Sequence, residues 1–354
     1  MEAVIRERHP MERLKRRLGA IAEAVPPGSQ VAYIDYPLHE NIGDLLILQG
    51  TEAFFAEHRI RVRRRYSCVN FRPGVKIPRD WILVCHGGGN FGDLYPWYQR
   101  LREDIVRCYP DHRIVILPQT VEFRDAESEG RSMELLGSHQ DLHLFVRDRV
   151  SYEKARGHIA NLYLSPDMAH QLYPIDAGRA GQAGQAGGAG FARVLGVLRT
   201  DGEASGAEGS AIAGERIDET TDWPLLLSAG DRLAVRLLVA MSSLDRRLRN
   251  ALPVWPLWRR FARRLTDKAI RKYAGSGRVV TSRLHGHILA CLMNKPNVLL
   301  DNSYGKNGRY YREWTRDVES ATAVLPRPPG SGEEEAVRER LAGIDYRDLH
   351  AQPS

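Results

Sequence analysis

The chain has 354 residues, 43% of them apolar, four cysteines and a formal net charge of +7. That length predicts two domains with sizeable cores, and the charge predicts anionic partners: a phosphorylated metabolite, a lipid headgroup or nucleic acid. Cys68, Cys85, Cys108 and Cys291 are scattered without a CxxC pair. This argues against a disulfide framework or a zinc site and for a reducing cytoplasm.

Along the chain, residues 11–24 alternate apolar and basic residues at helical spacing, so residues 1–30 are read as an N-terminal helix with no apolar signal region. "VAYID" (31–35), "RIRVRRRY", "WILVC" (81–85), "RIVILP" (113–118) and "LHLFVRD" (142–148) read as strands, the second as an edge strand because its alternate residues are charged. Helices are expected over 43–58, near 95–108, near 127–137 and over 150–157. Alternation of this kind predicts a parallel sheet covered on both faces. A first domain therefore spans 31–175. The Gly/Ala/Gln-rich stretch 176–192 reads as a linker.

A second domain, 193–330, opens with "RVLGVLRTD" (193–201). It carries a strongly basic helical insertion over 231–273, then "RVVTS" (278–282), a helix over 284–293 and "NVLLD" (297–301). Residues 331–354 are read as a C-terminal helix and tail. No run of about 18 apolar residues suggests a membrane-crossing helix. The expected architecture is two doubly wound Rossmann-like domains facing across a cleft, with ligands beyond the carboxyl ends of the strands.

Polar clusters sit at those ends. In "HENIGD" (39–44), Asn41 and Gly43 suit a tight turn, and Asp44 suits either a helix cap or a ligand's hydroxyls. In "HGGGNFGD" (86–93), Gly88 and Gly89 with Asn90 and Asp93 form either a sterically tight turn or a cradle for an anion at a helix N-terminus. The stretch is neither a Walker loop nor a convincing dinucleotide fingerprint. Gln119 in "LPQT" can bond a sugar or a neighbouring loop. Arg147 and Asp148 read as a structural pair, and Asp167 in "LSPDMA" as a cap. Arg199 follows an apolar strand, as an anion-gripping arginine would. In "TSRLHGHILA", Arg283 supplies a fixed positive fork, and His285 is a group that can move a proton near neutral pH. His287, two residues on, points elsewhere on the helix, so a paired metal site is not expected. Tyr304 and Lys306 in "DNSYGKNGRYY" add a ring and a cation.

Taken in order, "NIGD", "HGGGNFGD", "LPQT", "VRDR", "SPDMA", "TSRLHGHILA" and "DNSYGK" resemble the polysaccharide pyruvyl transferase family, from about Val31 to about Trp314. The resemblance implies a GT-B-like fold. It implies transfer of a pyruvyl group from phosphoenolpyruvate to a sugar of a bacterial exopolysaccharide or its polyprenyl-diphosphate-linked precursor, with release of phosphate and no metal or cofactor. Under it, Arg199, Arg283, Leu284, His285, His287 and Lys306 form the donor site, with His285 the proton donor. Asn41, Gly43, Asp44, Gly88, Gly89, Asn90, Asp93 and Gln119 face the acceptor, and Asp44 takes the hydroxyl proton. The stretch 246–268, which mixes arginines with Trp255, Trp258 and Phe261, suits either a solvated helix covering the second domain or peripheral contact with an anionic membrane at its cytoplasmic face. Two other functions fit parts of the pattern. A glycosyltransferase of the same fold would use a nucleotide sugar. A nucleic-acid-binding protein would use the charge but has no need of polar clusters at strand ends, so nucleic acid is not expected as a partner.

Overall fold

The computed structural model describes residues 9–176, 193–199, 216–301 and 305–325. The expected linker beyond Asp176, Tyr304 and the expected C-terminal helix lie outside these residues. Helix α1 (Pro10–Arg17) passes through a 3-10 turn into α2 (Ile21–Ala24). There follow β1 (Gln30–Ile34), α3 (Ile42–Glu57), β2 (Arg61–Tyr66), β3 (Ile82–Cys85) and β4 (Gly88–Phe91). Then come α4 (Pro96–Cys108), β5 (Ile114–Val121), α5 (Ala126–Gly137), β6 (Leu142–Val146), α6 (Arg149–Ala155) and β7 (Asn161–Leu164). These strands form a seven-stranded parallel sheet of order β2-β1-β3-β5-β6-β7, with β4 paired to β5. β1, β3, β5 and β6 are apolar runs buried almost throughout, as strands covered on both faces must be. β2, with its run of arginines, lies at the edge.

The second sheet is built from β8 (Val194–Val197), β9 (Glu219–Thr221), β10 (Arg278–Thr281), β11 (Asn297–Leu300) and β12 (Ala321–Val324). Between β9 and β10 run α7 (Ala229–Arg247) and α8 (Val254–Ala274). α9 (Leu284–Leu292) follows β10, and α10 (Lys306–Tyr310) follows β11. The order is β12-β11-β10-β8-β9, again parallel. In each sheet the first strand lies between the second and the third: β2-β1-β3 in one, β9-β8-β10 in the other. The chain therefore reverses direction across the sheet at β1/β3 and at β8/β10, and a crevice opens beyond the carboxyl ends of those strands. The α/β class with parallel sheets is as expected.

Two readings change. The stretch "HGGGNFGD" does not lead straight into a helix. Gly88–Phe91 runs as a strand, and α4 starts only at Pro96. Two of its glycines, Gly87 and Gly92, answer to packing against β5 and the residue after it. A Cβ at Gly87 would lie 2.8 Å from the Pro118 carbonyl oxygen. One at Gly92, where φ is +138°, would lie 1.7 Å from that of Glu122. The basic segment also differs from a solvated cover on the second sheet. Trp258, Ala262 and Leu265 of α8 are buried in the core of the first sheet, while Ala269 and Tyr273 of the same helix are buried in the core of the second. Trp255 packs edge-on to Tyr36 at 5.0 Å and under Arg65 at 4.9 Å. The tryptophans are thus turned inward, as in the covering-helix alternative, though α8 covers both sheets and not the second alone. α3 likewise places Leu45 and Leu48 in the first core and Ile42 and Leu46 in the second.

Candidate active site

The carboxyl ends of β1, β3, β8 and β10 line one cavity of about 380 Å³. On the first-sheet wall, Asp35 ends β1 with φ at +68°, a left-handed conformation that aspartate tolerates better than most residues. It is buried, and its Oδ1 has no hydrogen-bond partner. Burial pushes its pKa up to about 7. The buried Arg102 opposes this, the charge of Asp44 adds to it and Asn90 opposes it. His86 ends β3. Its Nδ1 lies 2.5 Å from the Tyr33 hydroxyl, and its Nε2 is buried without a partner. Burial, then the nearby charge of His39, pushes the imidazole down to about 3, so the ring is neutral. Asn41 caps α3, accepting from the Gly43 N–H at 3.0 Å, which leaves Asp44 in the first turn facing the cavity, 3.7 Å from His39.

The second-sheet wall is charged and paired. After β10, the guanidinium of Arg283 donates from Nε and one Nη to the two oxygens of Asp222, at 2.7 and 2.6 Å. Asp222, directly after β9, is fully buried. Arg199 and Lys306 line the same wall, and the Arg199 N–H donates to the Ser282 hydroxyl at 2.9 Å. Leu284 and His285 open α9 toward the cavity.

His285 joins the two walls. Its Nε2 lies 3.3 Å from Oδ2 of Asp167, a fully buried carboxylate that also accepts from Arg147 at 2.6 Å and from the Ala169 N–H at 2.9 Å. Burial alone would raise the pKa of Asp167. The charge and hydrogen bond of His285, then Arg147 and the Ala169 N–H, outweigh it and hold the carboxyl well below the usual range. The other side of the ring packs on α3. A Cβ at Gly43 would lie 2.8 Å from His285 Nδ1, so only glycine lets the helix approach this closely.

Of the residues singled out from sequence, Asn41, Asp44, Gly89, Asn90, Arg199, Arg283, Leu284, His285 and Lys306 line the cavity together. Others lie behind its surface. Gln119 is buried and donates to the His86 carbonyl at 2.8 Å and to Asn90 at 3.4 Å. It is the loop-bonding option, not the sugar-bonding one. Asp93 accepts from the N–H groups of Arg124 and Asp125. Gly88 opens β4. His287 points into the core, bonding Asn297 at 2.6 Å and Thr315 at 2.8 Å, and burial pushes it down to about 4. Arg147, by contrast, lines the cavity and pairs with Asp167 in place of Asp148, which caps α6 through Ser151. Sequence reasoning passed over Asp35, His86 and Asp222 as site residues. Asp35 and His86 did carry a signal, each being a polar residue that ends an apolar strand. Asp222 carried none, since β9 is three polar residues long.

Residues 41–304 match the family described as polysaccharide pyruvyl transferase. The chain is 41% identical over 319 residues, 90% of its length and 95% of the relative's, to EpsO of Bacillus subtilis, which carries the name of a pyruvyl transferase. It is 31% identical over 301 residues to pyruvyl transferase 1 of Schizosaccharomyces pombe, covering 80% of this chain and 69% of that one. Among solved structures, a functionally uncharacterized Klebsiella pneumoniae protein shares the fold with a TM-score of 0.58 at 18% identity, covering 89% of this chain and 98% of that one. On this match, and with one cavity shared by the switch points of two parallel sheets, the chain belongs to the polysaccharide pyruvyl transferase family.

Proposed function

We propose that the chain transfers a pyruvyl group from phosphoenolpyruvate to a saccharide as a ketal, releasing phosphate, within a GT-B-like arrangement of the two sheets. The acceptor is a sugar of an exopolysaccharide or of its polyprenyl-linked precursor, handled at the cytoplasmic face of the membrane. The observation that carries this reading is His285, fixed between Asp167 and Gly43 at the edge of a wall bearing Arg199, Arg283 and Lys306. A donor with a phosphate and a carboxylate calls for several cations beside one proton donor. Arg199, Arg283 and Lys306 share the recognition of the donor's anions, with Asp222 fixing the Arg283 guanidinium.

His285 gives a proton to C3 of the enol phosphate, and C2 gains oxocarbenium character. A sugar hydroxyl attacks C2, forming the first C–O bond, and its proton passes to a carboxylate of the opposite wall. Asp35 suits this role better than Asp44, being buried, unpartnered at Oδ1 and held near neutrality. The C2–O bond to phosphate then breaks with its electron pair, a second hydroxyl closes the ring, and its proton leaves with the phosphate. Asp35 and His285 exchange the remaining proton through solvent.

The test is a thermal shift with phosphoenolpyruvate and, separately, with nucleotide sugars. A ligand at about 100 times its Kd stabilises the native state by about 2.7 kcal/mol. Stabilisation by phosphoenolpyruvate that Arg199→Ala abolishes supports the reading. Stabilisation by a nucleotide sugar alone points instead to a glycosyltransferase.

A further inference from the structure

Helix α7 is amphipathic in the unexpected sense. The face it buries carries Asp231, Ser242 and Asp245 beside Val235. Asp245 accepts from the Asn70 amide at 3.0 Å, Ser242 meets Ser67 at 3.1 Å, and Asp231 pairs with Lys268. The opposite face carries Leu233, Leu237, Leu244 and Leu248, each between 47 and 62% exposed. Their spacing of four, seven and four residues puts them in one stripe along the helix. Beside Leu244, sharing one surface depression with it, sit Trp97, which is 60% exposed, and Arg72, Arg246 and Arg247. Arg100 adjoins Trp97 on the other side, with Asp104 the one acid there among the described residues.

We propose that this face, the leucine stripe of α7 with Trp97 and the surrounding arginines, seats the protein on an anionic phospholipid surface. The chemistry selects that occupant. Residues 229–274 hold twelve basic residues against three acidic ones, and two of those acids, Asp231 and Asp245, are buried. Two copies of so basic a face would repel each other. A nucleic acid would engage the arginines but bury no leucines. A bilayer with anionic headgroups takes both, with leucine and tryptophan in the interfacial region and guanidinium groups among the phosphates. Trp97 stands between Tyr95 and Tyr98, which line the cavity, so the surface adjoins the mouth of the cleft. The surface is read from the fold alone and does not depend on the pyruvyl reaction.

The experiment is flotation of the full chain with phosphatidylcholine vesicles, with and without phosphatidylglycerol, at physiological salt. The wild type is expected to float with the anionic vesicles only. Leu237→Gln/Leu244→Gln is expected to lose roughly tenfold or more in partitioning, since each leucine gives up an apolar side chain's transfer, with an unchanged melting temperature. Arg246→Ser/Arg247→Ser should weaken binding as well. Three outcomes overturn the proposal. One is the absence of flotation, including the case where the chain binds a single-stranded oligonucleotide instead. Another is flotation that the leucine variant keeps. The third is a dimer in sedimentation that the leucine variant splits, which would assign the face to a second copy. Since no substrate is present, failure here leaves the proposed reaction standing.

Discussion

The two walls of the cleft differ in how their polar groups are satisfied. At the second-sheet wall, Arg283 is held bidentately by Asp222, and His285 reaches across to Asp167 of the first sheet, which Arg147 also holds. At the first-sheet wall, Asp35 and His86 line the cavity, and Asp35 Oδ1 and His86 Nε2 are buried without partners. Buried polar atoms are almost always bonded. A wall saturated with ion pairs is organised before a ligand arrives, whereas a wall with open acceptors and donors is completed by one. Two aspartates of the first sheet repeat the contrast within one wall. Asp167 is held ionised by its partners, and Asp35 is pushed toward neutrality by burial, a separation that marks acid and base roles elsewhere.

The largest effect expected is on turnover. His285→Gln should lower kcat by about 10²–10⁴-fold, as removal of a general acid does, while phosphoenolpyruvate still raises the melting temperature. Unchanged phosphate release would remove His285 from the chemistry. Next comes the stability of the paired wall. Arg283→Ala takes from the buried Asp222 the guanidinium that bonds both its oxygens, and breaking a buried pair from one side costs about 3–5 kcal/mol. Urea unfolding should show that loss, and adding Asp222→Asn should recover part of it. If the two changes are simply additive, the walls do not differ in this way.

Asp35 sharpens the comparison through pH. Its folded pKa of about 7 lies above the ordinary carboxylate value, so between roughly pH 4 and 7 the native state keeps a proton that the unfolded chain has lost. Stability from this group is complete below that window and is lost as pH rises through it. Asp35→Asn, which suits the left-handed backbone, should therefore be more stable than the wild type at pH 8, by on the order of a few kcal/mol, and equal to it near pH 4. Its pH–rate profile should also lose the acid limb. Asp167 runs the other way, its stabilisation being present above the ordinary carboxylate pKa and lost as pH falls below it. The smallest effect is Gly43→Ala. The methyl group displaces the His285 ring, and about a tenfold loss in kcat is expected with stability changed by about 1 kcal/mol or less. An unaffected rate would show that the ring position is not set by α3.

Much of this was legible beforehand because parallel strands are written as apolar runs, and a polar residue ending such a run has few places to point. Arg199, Arg283 and His285 were found that way. What was hidden depends on pairing across long stretches of chain. Asp167 and His285 are 118 residues apart, and Arg283 finds Asp222 across the whole α7–α8 excursion. No local spacing encodes such a meeting. The glycines of "HGGGNFGD" left two readings open because close packing on a neighbouring strand and close approach to an anion demand the same absent side chain. The basic segment left two alternatives open because its composition records the arginines but not that Trp258 faces inward.

The helices that bury side chains in both cores bear on how such enzymes can be recombined. α3 and α8 each belong to two hydrophobic interiors, and α1 with its extension into α2 does as well, through Met11 and Leu14 in one and Leu18 and Ile21 in the other. Halves exchanged between relatives at the stretch that follows Asp176 would bring together helices and interiors that never evolved as a set. A chimera meant to change acceptor preference should carry α1, α2, α3 and α8 from a single parent, so that the graft respects the packing and not the order of the chain.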